Sequence, residues 1–352
     1  MFFEWRASNG QKYLYAEGEN RYELGLAKGH GLKDQITYTD KFISILISKF
    51  ADSPYKPMID GMISGYLSCI PESDMEEIRG IQDGYNAECG VSFSFEQIAI
   101  HSFMLDIASQ LRNSELAPEF EGCTNFACVN PDGSVSHGQN YDQKLNTKPC
   151  CAFVYQKCPS EPDLFILQSG GSLAWPVGIN IKGVAITVSY VNTTLTAPVM
   201  TPRSVLIRNA MRCSNAKDAM KAMTDDQGRS PFCYNLIISD RNTVVCSQNI
   251  PSEQRIICVK QTAVQSNQYD YIDWDKYLKN RDYSKKRQLY SEELLDGLYR
   301  RYSGVSNSLL LDILKDKPVI CRDTTTLFFT RENFGIGNAA DDPVGVNPII
   351  IE

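Results

Sequence analysis

The tetrapeptide Asn130-Pro-Asp-Gly133 constrains this chain more than any other stretch. Proline presets φ at the first turn position, and Asp-Gly tolerates the left-handed geometry of a tight reversal. The flanking runs, Asn125–Asn130 and Ser134–Gln139, therefore read as the arms of an antiparallel hairpin. N-terminal to it the chain reads as helical. Ile36, Ile43, Leu46, Ile47 and Phe50 form a helical stripe. Ser73-Asp-Met-Glu76 predicts a capping box opening a second helix after Pro71, with Gly84 near its end, and Ser94-Phe-Glu-Gln97 predicts a third. Beyond residue 123, strands are expected at Ala152–Gln156, Leu164–Gln168, Val177–Ile181 and Val184–Tyr190, then at Tyr234–Ile238, Val244–Ser247 and Thr325–Thr330. Helices are expected at Arg203–Arg212, Asn215–Met223, Ser291–Tyr302 and Ser308–Leu314. The order helices, paired strands, helices, paired strands predicts an α+β fold with antiparallel sheets layered between helices, not a doubly wound parallel sheet.

At 352 residues and 43% hydrophobic content the chain can bury a sizeable core. No repeat, low-complexity tract or linker divides it, so a single domain over 1–352 is expected. A formal charge of −7 argues against a nucleic-acid binder. Met1-Phe2-Phe3 runs at once into Glu4 and Arg6, without the pattern of a signal peptide. The uncharged runs Leu164–Ile181 and Gly183–Pro202 are interrupted by Gly, Pro, Ser, Thr and Asn and read as buried strands, not membrane spans. No membrane partner and a cytoplasmic location are the resulting expectations.

Twelve cysteines, without C-x-x-C and beside only three histidines, fit neither a zinc site nor, without a secretory signal, a disulfide framework. No metal or cofactor is expected. Most cysteines, Cys128 and the pair Cys150-Cys151 among them, read as small buried hydrophobes. His101, on an apolar helix stripe, reads as a core histidine, and His30 and His137 as surface groups.

The exception among the cysteines is Cys123, in Glu121-Gly122-Cys123-Thr124-Asn125. It starts the first hairpin arm, and Gly138-Gln139-Asn140-Tyr141-Asp142 ends the second, so folding the hairpin brings Cys123 and Asp142 close in space. By itself a cysteine beginning a buried strand is ordinary.

These stretches resemble the acyl-coenzyme A:isopenicillin N acyltransferase family of N-terminal-nucleophile (Ntn) cysteine hydrolases, related to β-alanyl-dopamine hydrolase. The family pattern D-G-C-T-T, P-N-G, G-Q-N-W-D is matched by Glu121-Gly-Cys-Thr-Asn125, Pro131-Asp-Gly133 and Gly138-Gln-Asn-Tyr-Asp142. Tyr22-Glu-Leu-Gly25 through Gly29, Glu76-Glu-Ile-Arg-Gly80 and Gly178-Ile-Asn through Gly183-Val-Ala185 resemble further family segments in the right order. The resemblance implies a four-layer αββα fold with two stacked, mainly antiparallel sheets between helical layers. It also implies self-cleavage at Gly122-Cys123, leaving an α-fragment of residues 1–122 and a β-fragment of residues 123–352 that stay associated. Glycine before the nucleophile permits the strained backbone that an N-to-S acyl shift requires. The freed α-amine of Cys123, with an ordinary pKa of about 7.7–8.0, is suited to take the thiol proton.

By the same resemblance, Asp142 supports the amine and Asn267, in Gln265-Ser-Asn-Gln268, donates its amide to the oxyanion. Arg322 takes the family arginine position if one extra residue is allowed in Cys321-Arg-Asp-Thr-Thr-Thr-Leu-Phe328; otherwise Asp323 falls there. The expected activity is that of a self-processed amidohydrolase or acyltransferase acting on non-peptide or N-acyl amide bonds of small amines or amino acids through an acyl-Cys123 intermediate, with a small-molecule amide or thioester as substrate. An acyl-coenzyme A-dependent N-acyltransferase and a catalytically inactive binding protein on the same scaffold are the alternatives. Lys285-Lys-Arg287 with Arg300-Arg301, balanced by Glu292, Glu293 and Asp296, reads as a solvated helix face and not as a coenzyme A phosphate site. The oligomeric state, self-association included, stays open.

Overall fold

The computed structural model describes residues 1–50, 52–111, 122–175, 177–193, 195, 199–224, 228–230, 233–270, 281–316 and 324–338. The larger sheet contains β1 (Phe2–Ser8), β2 (Gln11–Glu17), β5 (Cys151–Lys157), β6 (Leu164–Ser169), β7 (Val177–Asn180), β8 (Ala185–Tyr190), β9 (Tyr234–Ser239), β10 (Val244–Ile250) and β11 (Glu253–Val259), neighbours in that order. All its pairings are antiparallel except β2 with β5. The smaller sheet contains β3 (Gly122–Val129), β4 (Val135–Lys144), β12 (Thr262–Gln265), β13 (Thr324–Thr330) and β14 (Phe334–Asn338), ordered β12-β3-β4-β13-β14 and antiparallel throughout. The expected hairpin is β3–β4, and Gly133 closes its turn at φ +82°.

Helices α1 (Arg21–Gly31), α2 (Lys33–Ser48), α3 (Lys56–Ser68), α4 (Glu72–Cys89), α5 (Phe95–Gln110), α6 (Arg203–Met211) and α7 (Ala216–Lys221) cover one side of the large sheet, sealing a core that includes Leu14, Ile36, Ile78, Phe103, Ile166 and Leu236. Helices α8 (Arg281–Tyr302) and α9 (Asn307–Leu314) cover the outer side of the small sheet, where Phe126, Cys128, Leu295, Leu310 and Leu314 pack. Between the sheets lie Tyr141, Phe153, Phe165, Phe329 and Phe334, and further along Ala127, Ile237 and Cys246. The described residues thus form four layers, αββα, with the two sheets stacked between helical layers. None of the described helices is long and apolar enough to cross a membrane.

Three expectations need correction. The first 120 residues are not all helical: β1 and β2 form a hairpin around Asn9 and Gly10, both at positive φ (46° and 82°), the Asn-Gly geometry of a two-residue turn. Helix α4 starts at Glu72 with Pro71 as its N-cap, and no side chain caps it, so Ser73 opens no capping box; Ser94 does, with Gln97. Gly84 lies inside α4, which ends at Gly90 in the left-handed conformation. It belongs to a close contact between α1 and α4: Cβ atoms on Gly25 and Gly80 would stand 2.1 Å and 2.0 Å from the carbonyl oxygens of Glu77 and Tyr22. Only glycine lets the two backbones approach so far. Finally, α8 begins ten residues earlier than Ser291, and this matters for the site.

Two features among those that tie the first 122 residues to the rest stand out. The β2–β5 pairing joins them to the large sheet, and a buried charge cluster joins α1 and α4 to α6 and Glu161. Arg21 pairs with Glu77 (2.7 Å), Glu161 (2.6 Å) and Asp74; Lys28 pairs with Glu77 (2.6 Å). Arg208 pairs with Glu77 (3.2 Å) and Glu161, and Arg212 with Asp74 (2.9 Å) and Glu161 (3.0 Å). Each buried carboxylate has at least two cationic partners, which offsets the desolvation cost of burying it. Burial lowers the Lys28 ammonium to about 8, although Glu77 opposes the shift.

Candidate active site

Because side chains alternate across a strand, Cys123 and Ala127 face the large sheet while Phe126 and Cys128 face α8 and α9. Cys123 is 5% exposed and packs in the cluster between the sheets. Its cross-strand partner in β4 is Tyr141; Asp142 pairs with Gly122 on one side and Thr326 on the other. Cys123 and Asp142 are thus one residue out of register, and their side chains leave the sheet on opposite faces. The register sets Asp142 directly across from Gly122. Asp142 is 4% exposed.

Asn267 follows β12, whose Gln265 pairs with Asn125. Two residues further on, the same register sets Asn267 beside Cys123. Its Oδ1 accepts the Cys123 backbone N–H at 2.8 Å, and its Nδ2 donates to the Tyr190 carbonyl at 2.6 Å. These partners fix which end of the amide is oxygen. The carbonyls on either side of Asn267, those of Ser266 (2.9 Å) and Gln268, are both held by Asn235 Nδ2 from β9. Gln288 Oε1 accepts from Ser266 N (3.1 Å) and Oγ (3.0 Å). The segment is clamped from both sheets and from α8.

Arg287 on α8 completes the arrangement. It is 3% exposed, and its Nη2 donates to the Cys123 carbonyl at 3.1 Å and to Asn267 Oδ1. The expectation of a solvated helix face is therefore wrong at Arg287 and right at Lys285 and Lys286, which are exposed. On α8, Ser284, Arg287, Gln288, Ser291 and Leu295 are buried. That stripe has helical spacing but is mostly polar, so apolar periodicity misses it; the spacing of the Ser, Arg and Gln residues is the signal that would have found it. Arg287 also accounts for Gly122, at φ +156°: a Cβ there would stand 2.2 Å from Arg287 Nη1.

Arg322 and Asp323, the two candidates for the family arginine position, lie outside the described residues, as does Glu121. His137, expected at the surface, is fully buried: its ring bridges Ser239 Oγ and Thr187 Oγ1, each at 2.8 Å, between the two sheets. Burial, helped by Arg331, pulls its pKa to about 3. His101 is a core histidine whose Nδ1 accepts the Gly171 N–H at 3.0 Å, and burial pulls it to about 3 as well. Both rings are neutral near pH 7. The described cysteines are free thiols, and burial pushes Cys128 up to about 11. Among the described residues no group of three or more His, Cys, Asp or Glu side chains is arranged to hold a metal ion.

Three solved structures illustrate what the chain is similar to. The Caenorhabditis elegans ortholog of N-acylethanolamine-hydrolyzing acid amidase aligns at 15% identity and a TM-score of 0.47, over 59% of this chain and 92% of the other. Two mutant forms of conjugated bile acid hydrolase from Clostridium perfringens align at 12% identity and TM-scores of 0.43 and 0.42, over 64% of this chain and 93% and 97% of theirs. A search by sequence among curated proteins finds no significant match. The family model for acyl-coenzyme A:6-aminopenicillanic acid acyl-transferase matches residues 128–327, a span that starts after Cys123 and includes Asp142, Asn267 and Arg287. With more than half of its length matched by that model, the chain belongs to the acyl-coenzyme A:6-aminopenicillanic acid acyl-transferase family.

Proposed function

We propose that the protein is a self-processing cysteine amidohydrolase that cuts the chain between Gly122 and Cys123 and then acts on non-peptide or N-acyl amides of small amines or amino acids. The observation that carries this reading is that both backbone groups of Cys123 are held by side chains, the N–H by Asn267 Oδ1 and the C=O by Arg287 Nη2. Any buried main-chain N–H and C=O needs a partner; at Cys123 both partners are side chains, which can stay in place when the peptide nitrogen becomes a free amine.

In the processed enzyme Asn267 Oδ1 accepts one hydrogen of the amine, so the nitrogen lone pair is turned to the thiol. Asp142 stabilises the ammonium that forms when the amine takes the thiol proton. The thiolate adds to the substrate carbonyl, and the oxyanion accepts from the second N–H of Asn267 Nδ2 and from Arg322 or Arg287. The ammonium returns its proton to the departing amine, leaving acyl-Cys123, which water resolves to a carboxylic acid and free thiol. The two fragments stay together through the β2–β5 pairing and the buried charge cluster.

A second reading, acyl transfer from acyl-coenzyme A to an amine, is favoured by the description of the matching family. The two separate in one experiment. Processed protein is incubated with a panel of N-acyl amides and with acyl-coenzyme A plus amines, and acyl-Cys123 is sought by mass. Amine release from amides supports hydrolysis; coenzyme A release that depends on an added amine supports transfer. A processed protein that forms no acyl-Cys123 with either class refutes both and leaves the scaffold as a binding protein.

A further inference from the structure

The described residues enclose a cleft of about 940 Å³ at the other end of the β3–β4 hairpin from Cys123. Seven strand residues separate the two places, a distance of about 24 Å. Its walls are the turn Asn130–Ser134, the β7–β8 turn at Gly183, the start of α9 and two arginines, Arg241 and Arg331. The mechanism above uses none of them.

Arg331 is built into the fold. Its Nη1 donates to Ser239 Oγ and to the Asp240 carbonyl, both at 3.0 Å, and its backbone N–H donates to the His137 carbonyl at 3.1 Å. Its Nη2 has no hydrogen-bond partner among the described residues and lies on the cleft side, where a Cβ on Gly183 would stand 3.2 Å from it. The Arg241 Cγ approaches the same point to 3.0 Å. Two guanidinium side chains therefore flank one glycine at the cleft wall, and neither is ion-paired with a described carboxylate.

The nearby acids are engaged elsewhere. Asp240 accepts from the N–H groups of Ala216, Asn242 and Thr243; Asp132 accepts from Ser134 N and Oγ; Glu332 accepts from Asn307 Nδ2. Burial, reinforced by Arg241, pulls Arg331 down to about 10 even though Asp240 and Glu332 act to raise it. A held cation with spare donors beside a second cation is the arrangement a phosphate dianion satisfies. The cleft is much larger than a phosphate ion, and Ile179, Ile181 and Leu309 give part of its lining an apolar character.

We propose that this cleft is a second small-molecule site, separate from Cys123, which binds a small organic phosphate with its phosphate group between Arg331 and Arg241. The proposal does not depend on the Cys123 chemistry, so its test uses the full-length Cys123→Ala protein, in which that chemistry is absent. Inorganic phosphate and adenosine monophosphate are titrated in separately by calorimetry at constant ionic strength. Saturable one-to-one binding is expected. Tighter binding of the nucleotide assigns the apolar walls to its organic part, and equal binding means the phosphate group alone is recognised. Arg331→Gln is expected to weaken binding by at least ~10-fold and Arg241→Gln by ~5-fold. Arg331 also bonds Ser239 and Asp240, so its variant is read only if its melting curve matches the parent's; the exposed Arg241 carries the test if it does not. No saturable binding of either probe up to about 10 mM, or binding that Arg241→Gln leaves unchanged, overturns the proposal.

Discussion

A single methyl group at position 122 tests how the site is held. A Cβ there stands 2.2 Å from Arg287 Nη1, so in Gly122→Ala the guanidinium must withdraw. Withdrawal removes its bonds to the Cys123 carbonyl and Asn267 Oδ1. Losing charge-assisted bonds of this kind costs about 1.5–3 kcal/mol. Alanine at φ +156° adds backbone strain of about 1–3 kcal/mol. The expected destabilisation of Gly122→Ala is therefore about 2.5–6 kcal/mol. Only the first part depends on Arg287, so a double-mutant cycle separates the two. Denaturant unfolding is measured in a Cys123→Ala background, which keeps the chain uncut and retains both backbone anchors. Gly122→Ala combined with Arg287→Ala should be less destabilised than the sum of the single variants, by about 1.5–3 kcal/mol. Strict additivity, within about 0.5 kcal/mol, would refute the claim that Gly122 is required by the approach of Arg287.

Other outcomes follow from buried charge. His137 is neutral in the folded protein, with its pKa pulled to about 3, whereas it takes up a proton near 6.5 when unfolded. Its contribution to stability is present above pH 6.5 and is lost as the pH falls toward 3. The wild type should lose about 2 kcal/mol relative to His137→Gln between pH 7 and pH 5, measured by urea unfolding; parallel pH profiles would show that the ring is not buried neutral. Glu161→Gln leaves three arginines of the buried cluster with one fewer carboxylate and should destabilise by about 3–5 kcal/mol, insensitively to salt. A loss below 1 kcal/mol would show the cluster to be solvated.

Much of this was legible in the sequence where local chemistry decides the structure. Asn130-Pro-Asp-Gly133 is the turn of the β3–β4 hairpin, and the Ser94 capping box opens α5. The β-branched runs from Ala152 to Tyr190 are strands of one sheet. What was missed depends on tertiary contacts or on polar burial. The edge strand β1 is largely exposed and the edge strand β11 has no buried residue, both carry little apolar alternation, and β14 lies in a Gly-rich stretch. Helix α8 buries Ser284, Arg287, Gln288 and Ser291 against the polar segment around Asn267, so its first ten residues have no apolar stripe. His137 looks like a surface residue until two hydroxyls, Ser239 and Thr187, come from the other sheet to satisfy its ring. Cys123 and Asn267 are 144 residues apart, and only the β12–β3 register brings them together.

The most direct measurement is the intact mass of freshly purified protein under denaturing conditions, beside Cys123→Ala. Cleavage before Cys123 gives fragments of about 14 kDa and about 26 kDa, the larger beginning with cysteine, while the variant stays whole. One uncut chain in the wild type under every maturation condition would remove the α-amine base and contradict the proposed mechanism.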